Sequence, residues 1–487
     1  MDRRQFLKGA AAGIAALSVS PLAAGQVSPL PPGRPPKKVL ILGAGLSGLA
    51  AGYELSRAGH EVTILEARMH PGGRVQTLRE PFSDGLHVDT GASTLPASHR
   101  RVWGYLESFG LKTEPWVDEK VATLGFVYHL RGQRLLPGQY PKPPLALTPE
   151  ERKMGIAGMY QKYFLSIIPE LGDPAAPGWP SPSLAKYDGM TLAEMMRERG
   201  ASPDAVEMIG LRFYLDLPAE GMNGTSALYM LRDEALTPST DEIFRIQGGM
   251  DALPRAFAAR LADKIVYGAR VVRIERRPDG VEAVFQQGGR SERLAAERLL
   301  CALPFSVLRR IEVDPPFSPG KRKAVAELPY CSTSRLWLQA RRRFWHEDGL
   351  SGFASTDLPI KYVFDSTAGS SSGRGVLECY VSGAPARPIS DLPEEGRIEL
   401  GLREMEKVHP QIRRWFEGGA SKCWDLDETA RGAYAYFKPG QMRELIPHLR
   451  PPEGRVHFAG EHTSDYPHWM EGALAEAARA AREIHEA

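Results

Sequence analysis

The stretch from Val39 to Arg74 narrows the folds open to this 487-residue chain more than any other. It reads as an apolar strand (39–42), a glycine turn Gly43-Ala44-Gly45-Leu46-Ser47-Gly48, and an apolar helix to about Arg57. A second strand (62–65) then ends in Glu66-Ala67-Arg68, before Gly72-Gly73-Arg74. Strand, glycine turn, helix and strand make a dinucleotide cradle. Gly43 permits the tight turn, Gly45 lets the backbone approach a pyrophosphate, and Gly48 lets helix pack closely on strand, so the phosphates meet the positive helix N-terminus. Glu66 follows at the spacing of an acid that accepts hydrogen bonds from a ribose. NAD and FAD fit the unit equally, so the choice between them has to come from elsewhere.

Composition sets the frame. With 43% hydrophobic and 25% charged residues, a chain of this length can bury a large core and is expected to form two domains. Its 61 basic and 59 acidic residues give a formal net charge of +2, without the basic stripe that a nucleic-acid partner requires. Cys301, Cys331, Cys379 and Cys423 are widely spaced, with no CxxC pair and no interleaved histidines, which suggests neither a metal site nor a redox pair. Buried thiols are expected, with one disulfide left open for an exported protein.

Residues 1–25 read as a targeting segment. Asp2-Arg3-Arg4-Gln5-Phe6-Leu7-Lys8 resembles a twin-arginine (Tat) signal; Gly9 to Leu22 is a small-residue apolar run and Ala23-Ala24 a cleavage neighbourhood. The run is shorter than the ~18 to 20 apolar residues that span a bilayer. The Tat machinery is therefore an expected partner, with the mature protein periplasmic or extracellular. Residues 26–36, rich in proline, read as a linker.

Val88 to Thr94 looks like a strand entering a turn, and residues 96–237 read as mostly helical, with helices over 192–199 and 226–235. Gln247-Gly248-Gly249-Met250 opens a helix over 253–261; strands follow at 264–272, 280–285 and 299–304. Residues 311–424 read as strand-rich, and the C-terminus as a strand (456–460) and a helix (471–484). The pattern predicts an α/β fold: a Rossmann-like FAD-binding domain assembled from 37–95, 240–310 and 425–487, with an α+β substrate-binding domain from 96–239 and 311–424.

Two C-terminal motifs decide the cofactor. Phe458-Ala459-Gly460-Glu461-His462-Thr463, followed by Trp469-Met470-Glu471-Gly472-Ala473 opening a helix, resembles the flavin amine oxidases, the monoamine, polyamine and L-amino-acid oxidases. Gly72-Gly73-Arg74 belongs to the same resemblance, which runs over roughly residues 37 to 487. Arg341 to Pro359 and Gly248-Gly249-Met250-Asp251 look most like the L-amino-acid oxidase branch.

The resemblance implies FAD, held through Gly43, Ala44, Gly45, Ser47, Gly48, Glu66, Ala67, Arg68, Gly72, Gly73, Arg74, Gly91, Ala92, Ser93, Val271, Gly460, Glu461, Trp469, Met470, Glu471 and Ala473. Glu461 is expected at the ribityl chain, Arg74 at the pyrophosphate and flavin, and Val271 at the adenine through its backbone. A helix starting at 470–472 would aim its positive end at the flavin edge where negative charge develops on reduction. Tyr434 and Trp469 match the family's aromatic walls and would flank a dry slot for the neutral amine. Tyr380 matches a tyrosine that holds a substrate carboxylate.

Three positions depart from the pattern. Thr94 stands where the L-amino-acid oxidases place a carboxylate-binding arginine, and it offers one hydrogen bond in place of a bidentate charged pair. Ala433 stands where monoamine oxidases tether flavin to a cysteine, so FAD is expected without a covalent bond. Arg335 replaces a lysine associated with the oxygen reaction and is expected to act as a fixed positive charge, the alternative being that it points away toward a surface acid.

The expected activity is oxidative deamination of a small amine or amino acid: hydride passes to flavin N5, the imine hydrolyses, and O2 reoxidises the flavin to give hydrogen peroxide, with no metal required. Three alternatives stay open: a flavin desaturase or isomerase for an apolar substrate, an amine dehydrogenase with another acceptor, and a non-catalytic redox-sensing module. A homodimer is also left open.

Overall fold

The computed structural model describes residues 29–140, 143–176 and 178–487. The Tat-like segment and the start of the proline-rich linker lie outside the described residues.

The cradle sits on a five-stranded, all-parallel sheet in the order Ile265–Tyr267, Glu61–Glu66, Lys38–Leu42, Arg298–Cys301, Val456–Phe458. These strands are short apolar runs because both faces are covered, as parallel sheets require. Val39 to Leu42 and Leu299 to Cys301 are buried throughout. The helices Leu46–Arg57 and Met470–Glu486 pack against each other, although more than 400 residues of chain separate them. Their contact uses Leu49, Ala50 and Ala51 on the first and Leu474, Ala477 and Ala481 on the second, all in one core cluster with Val39 and Ile41. Small residues on both helices let the axes approach closely.

A seven-stranded sheet forms the second layer, in the order Phe416–Cys423, Thr333–Ala340, Gly375–Ser382, Tyr362–Asp365, Leu350–Thr356, Gly125–Leu130, Gln133–Leu135. Its second strand, Thr333–Ala340, is buried along its whole length. A four-stranded sheet built around Arg270–Arg276 and a three-stranded one (Leu95–Pro96, Ile243–Ile246, Thr113–Pro115) complete the β-structure at the cavity. Helices between residues 149 and 236 cover one side of the cavity.

Two stretches differ from the sequence expectation. Residues 96–237, read as mostly helical, hold the strands Thr113–Pro115, Gly125–Leu130 and Gln133–Leu135. The run Phe126-Val127-Tyr128-His129-Leu130 is too short for its period to separate strand from helix, and long-range pairing with Leu350–Thr356 decides it. Within 311–424, Glu394–Val408 is a 15-residue helix. Its apolar stripe of Leu402, Met405 and Val408 has helical spacing but is diluted by charged neighbours. No helix among the described residues is long and apolar enough to cross a membrane. All four cysteines are free and buried, which closes the disulfide alternative.

Candidate active site

A cavity of about 620 Å³ runs from the glycine turn to Tyr434 and Trp469. At the cradle end the backbone does most of the shaping. Gly43 has φ +97°, a left-handed value that only glycine adopts without strain. A Cβ on Gly48 would lie 2.0 Å from the Gly43 carbonyl oxygen, and one on Gly73 would lie 3.1 Å from the Gly45 Cα. The Leu46–Arg57 helix begins at this turn, with Gly45 as its extended N-cap and its first N–H groups free for a ligand. The Ser47 hydroxyl is buried at the helix start without a protein partner and lines the cavity. An unpaired hydroxyl at a helix N-terminus fits a phosphate oxygen.

Glu66 ends its strand with each carboxylate oxygen engaged: Oε2 accepts from the Ala44 N–H (2.7 Å) and Oε1 from the Arg68 N–H (2.9 Å). The remaining lone pairs face the cavity, which Ala67 and Val271 also line. Arg68 donates to the Gly73 carbonyl (2.6 Å) and to both oxygens of Asp427, whose carboxyl is held well below its usual range by Lys422 and Arg68 against the cost of its burial. Arg74 donates to the Ala433 carbonyl (3.0 Å) and to Glu461 Oε1 (2.6 Å). Gly91 must be glycine, since a Cβ would sit 1.9 Å from the Arg74 carbonyl oxygen. These groups, with Gly72, Ala92, Ser93, Gly460, Met470 and Ala473, form a surface that fits FAD.

Three expected contacts fall elsewhere. Ala44 and Gly48 lie behind the cavity wall, where they serve the turn and the helix packing. Glu471 points away: it accepts from the backbone N–H groups of Arg101 and Val102 and from the Arg101 guanidinium. It thus caps the Arg100–Phe109 helix, and helical periodicity is the reason, since Met470 and Ala473 share the cavity face whereas 471 is turned by about 100°.

At the opposite end the walls are side chains from distant segments. Tyr434 is half-buried, its hydroxyl accepting from the Ala219 N–H (3.2 Å). Trp469 donates its indole N–H to Asp233 Oδ1 (2.9 Å). Between them stands His468, with its ring centroid 5.4 Å from Tyr434 and 5.0 Å from Trp469. Its Nδ1 lies 2.7 Å from the Tyr229 hydroxyl, its Nε2 3.3 Å from Asp233, and its N–H donates to Glu461 Oε2 (2.9 Å). A φ of +60° at this non-glycine residue is local strain that the network holds in place. The sequence expectation did not include His468, although adjacency to Trp469 was a signal for it. Asp233 and Glu234 gave none. Burial pushes the Glu234 carboxyl up to about 7. His462 and Thr463 are packing residues: His462 stacks edge-on against Phe305, and Thr463 donates to the Gly460 carbonyl and Glu476.

Arg335 lies neither free nor toward the surface. It is buried, ion-paired through Nε to the equally buried Glu378, and donates from Nη1 to the Gly91 carbonyl (2.7 Å). Its Cζ stands 4.7 Å from the Tyr380 ring, because Arg335 and Tyr380 are directly opposed across neighbouring strands. The fixed positive charge expected here is therefore largely balanced by Glu378, which also accepts from the Ser366 hydroxyl (2.7 Å). Burial pushes the Tyr380 hydroxyl up to about 12, so it remains a neutral donor. Thr94 lines the cavity beside this cluster.

The model of flavin-containing amine oxidoreductases matches residues 46–485, nearly the whole described chain. The protein is a flavin amine oxidase. It is 31% identical to the L-amino-acid oxidase of Gloydius blomhoffii over 470 residues, covering 93% of this chain and 90% of that one. It is 30% identical to the L-amino-acid oxidase of Pseudechis australis over 92% of this chain and 87% of that one. Its fold matches the solved structure of putrescine oxidase bound to putrescine with a TM-score of 0.80, at 23% identity, over 94% of this chain and all of that one. Residues 1–20 match the model of Tat signal sequences, which gives export by that pathway. This flavin amine oxidase is thus an exported FAD-dependent oxidoreductase acting on CH–NH2 groups, with its cradle built on the parallel sheet and its aromatic end on side chains from both layers.

Proposed function

We propose that this oxidase deaminates a small amine or an amino acid with O2 as acceptor: the CH–NH2 group, water and O2 give a carbonyl compound, ammonia and hydrogen peroxide. FAD bound in the cavity would supply the two-electron acceptor for the hydride that leaves the amine-bearing carbon. The observation that carries this reading is the continuity of one cavity from the phosphate cradle to Tyr434, His468 and Trp469. The chain's own residues have three tasks. Ser47, Glu66, Arg74 and Glu461 hold the dinucleotide. Tyr434 and Trp469 exclude water and orient the amine, whose neutral form the apolar walls favour. The start of the Met470–Glu486 helix places its positive end where charge develops. We place the mature protein in the periplasm or outside the cell. Adding a panel of amines and amino acids to anaerobic holoenzyme should bleach the flavin absorbance, and air should restore it with release of hydrogen peroxide. A flavin that none of them reduces would overturn the reading; bleaching without reoxidation by air would point to a different acceptor.

A further inference from the structure

Two guanidinium groups line the aromatic end of the cavity, and only one has a carboxylate partner. Arg335 is committed to Glu378. Arg245 donates from Nη1 to the Ser366 carbonyl (2.7 Å) and from Nη2 to the Trp116 carbonyl (3.1 Å), and among the described residues no carboxylate lies within ion-pair distance of it. Its Nε is buried without any partner. Of the five N–H donors of an arginine, three therefore have no protein acceptor.

Of the four carboxylates around Arg245, three accept hydrogen bonds from other groups. Asp89, which lines the cavity, accepts from the Thr77 hydroxyl (2.6 Å) and the Met250 N–H (2.9 Å), both on Oδ1. Asp365 accepts from Thr367 and the Trp345 indole. Glu378 is shared by Arg335 and the Ser366 hydroxyl. Glu114 is the cross-strand neighbour of Arg245, yet the two form no ion pair. A cation half-buried in a cavity wall with only carbonyl partners is costly to keep, and the cost falls when an anion binds beside it.

The strand carrying Arg245 fixes where that anion would sit. Ile243–Ile246 pairs with Leu95–Pro96 in the register Leu95↔Phe244 and Pro96↔Ile243. Continuing that register by one residue sets Thr94 opposite Arg245, within the ~5 Å reach of directly opposed side chains. The Ser366 carbonyl links Arg245 to the Glu378, Arg335 and Tyr380 cluster. Arg245 and Tyr380, from two strands, and Thr94, from the residue before a third, thus line the same cavity.

We propose that Arg245 binds the carboxylate of an α-amino acid, with Thr94 and Tyr380 as neutral donors beside it, so that this oxidase selects amino acids over the corresponding amines. The inference rests on the deamination reading above and names the substrate class for the same cavity. Arg245 is a specificity residue here: it touches the substrate carboxylate and takes no part in bond making.

The test compares L-phenylalanine, L-phenylalaninamide and 2-phenylethylamine as reductants of anaerobic holoenzyme, and follows binding of 3-phenylpropanoate by the flavin difference spectrum. Parent enzyme should favour the amino acid over both partners that lack the carboxylate. Arg245→Met should lower kcat/KM for L-phenylalanine about 100-fold, the loss expected for charge-assisted hydrogen bonds, and change that for 2-phenylethylamine less than about threefold. Binding of 3-phenylpropanoate should weaken in parallel, and Arg245→Lys should recover part of both. Equal use of L-phenylalanine and its amide by the parent would overturn the proposal even if the variant failed to fold. So would an unchanged substrate ratio and unchanged 3-phenylpropanoate binding in Arg245→Met. If no compound reduced the flavin while 3-phenylpropanoate still bound through Arg245, the deamination reading would fall and the carboxylate site would stand.

Discussion

The two ends of the cavity are made of different material. The cradle end is mostly backbone: a left-handed Gly43, close approach at Gly45 and Gly73, and a free helix N-terminus. The aromatic end is mostly side chain, with Asp233, Arg335, Tyr380, Tyr434 and Trp469 brought together from separate segments by ion pairs and hydrogen bonds. A backbone site is set by a short stretch of chain and tolerates little substitution. A side-chain site is set by many partners, and its specificity can change one residue at a time.

That contrast can be broken by experiment, beginning with the largest effect. If FAD is held only by the cradle's non-covalent contacts, acid precipitation should release all of it, because no cysteine lines the cavity and Ala433 has no nucleophile. Flavin retained in the pellet would show a bond to a side chain. At the aromatic end, Arg335→Met leaves Glu378 as an unpaired buried charge and should cost about 3–5 kcal/mol of stability. Denaturant titration of the Arg335→Met and Arg335→Met/Glu378→Gln variants should show the double variant as the more stable of the two. If it is the less stable, the pair is not the main source of the loss.

Trp469→Ala should slow flavin reduction by about 2–3 kcal/mol, roughly 30- to 150-fold, while FAD content holds. A collapse of FAD content with normal reduction in the remaining holoenzyme would assign Trp469 to the cradle end. Gly48→Ala should do the reverse: its methyl group meets the Gly43 carbonyl, and the overpacking costs about 1–3 kcal/mol in FAD affinity. Substrate reduction per bound flavin should stay near that of the parent, and a large fall in it would blur the division between the ends.

The smallest effect comes from Glu234. Burial raises its carboxyl from 4.5 to about 7 in the folded protein, so the folded state holds this proton more tightly than the unfolded one. Its contribution to stability is complete below the unfolded value of 4.5 and is lost as pH rises through about 7. Glu234→Gln should therefore shrink the difference in Tm between pH 5 and pH 8 by about 2 °C. An unchanged difference would mean that Glu234 is solvated and that the cavity there is wetter than its walls imply.

The contrast also explains what could be read in advance. Gly43 to Arg74 carries its cradle in local order, and the C-terminal motif carries Glu461, Trp469 and the helix start within 13 residues, Gly460 to Gly472. His468 was within reach of the same motif. Glu471 was misassigned because a motif gives residue identity without the turn of the helix, and the carboxylate followed its periodicity to the Arg100–Phe109 helix. Within 96–237, Thr113–Pro115 and Gly125–Leu130 were hidden because they pair with strands more than 100 residues away, and Gln133–Leu135 because it joins the sheet only through Gly125–Leu130.

By itself, the sequence determined the α/β cradle, the flavin family, Tat export and the residues whose roles depend on backbone geometry, since all of these are set by local spacing. Only the tertiary structure decided the charge state of the aromatic end. Arg335 and Glu378 are 43 residues apart and meet only because two strands pair, and Arg245, placed among other acids, makes its hydrogen bonds to two backbone carbonyls. Whether a charge is compensated depends on every group within a few ångströms in three dimensions, and spacing along the chain does not record that.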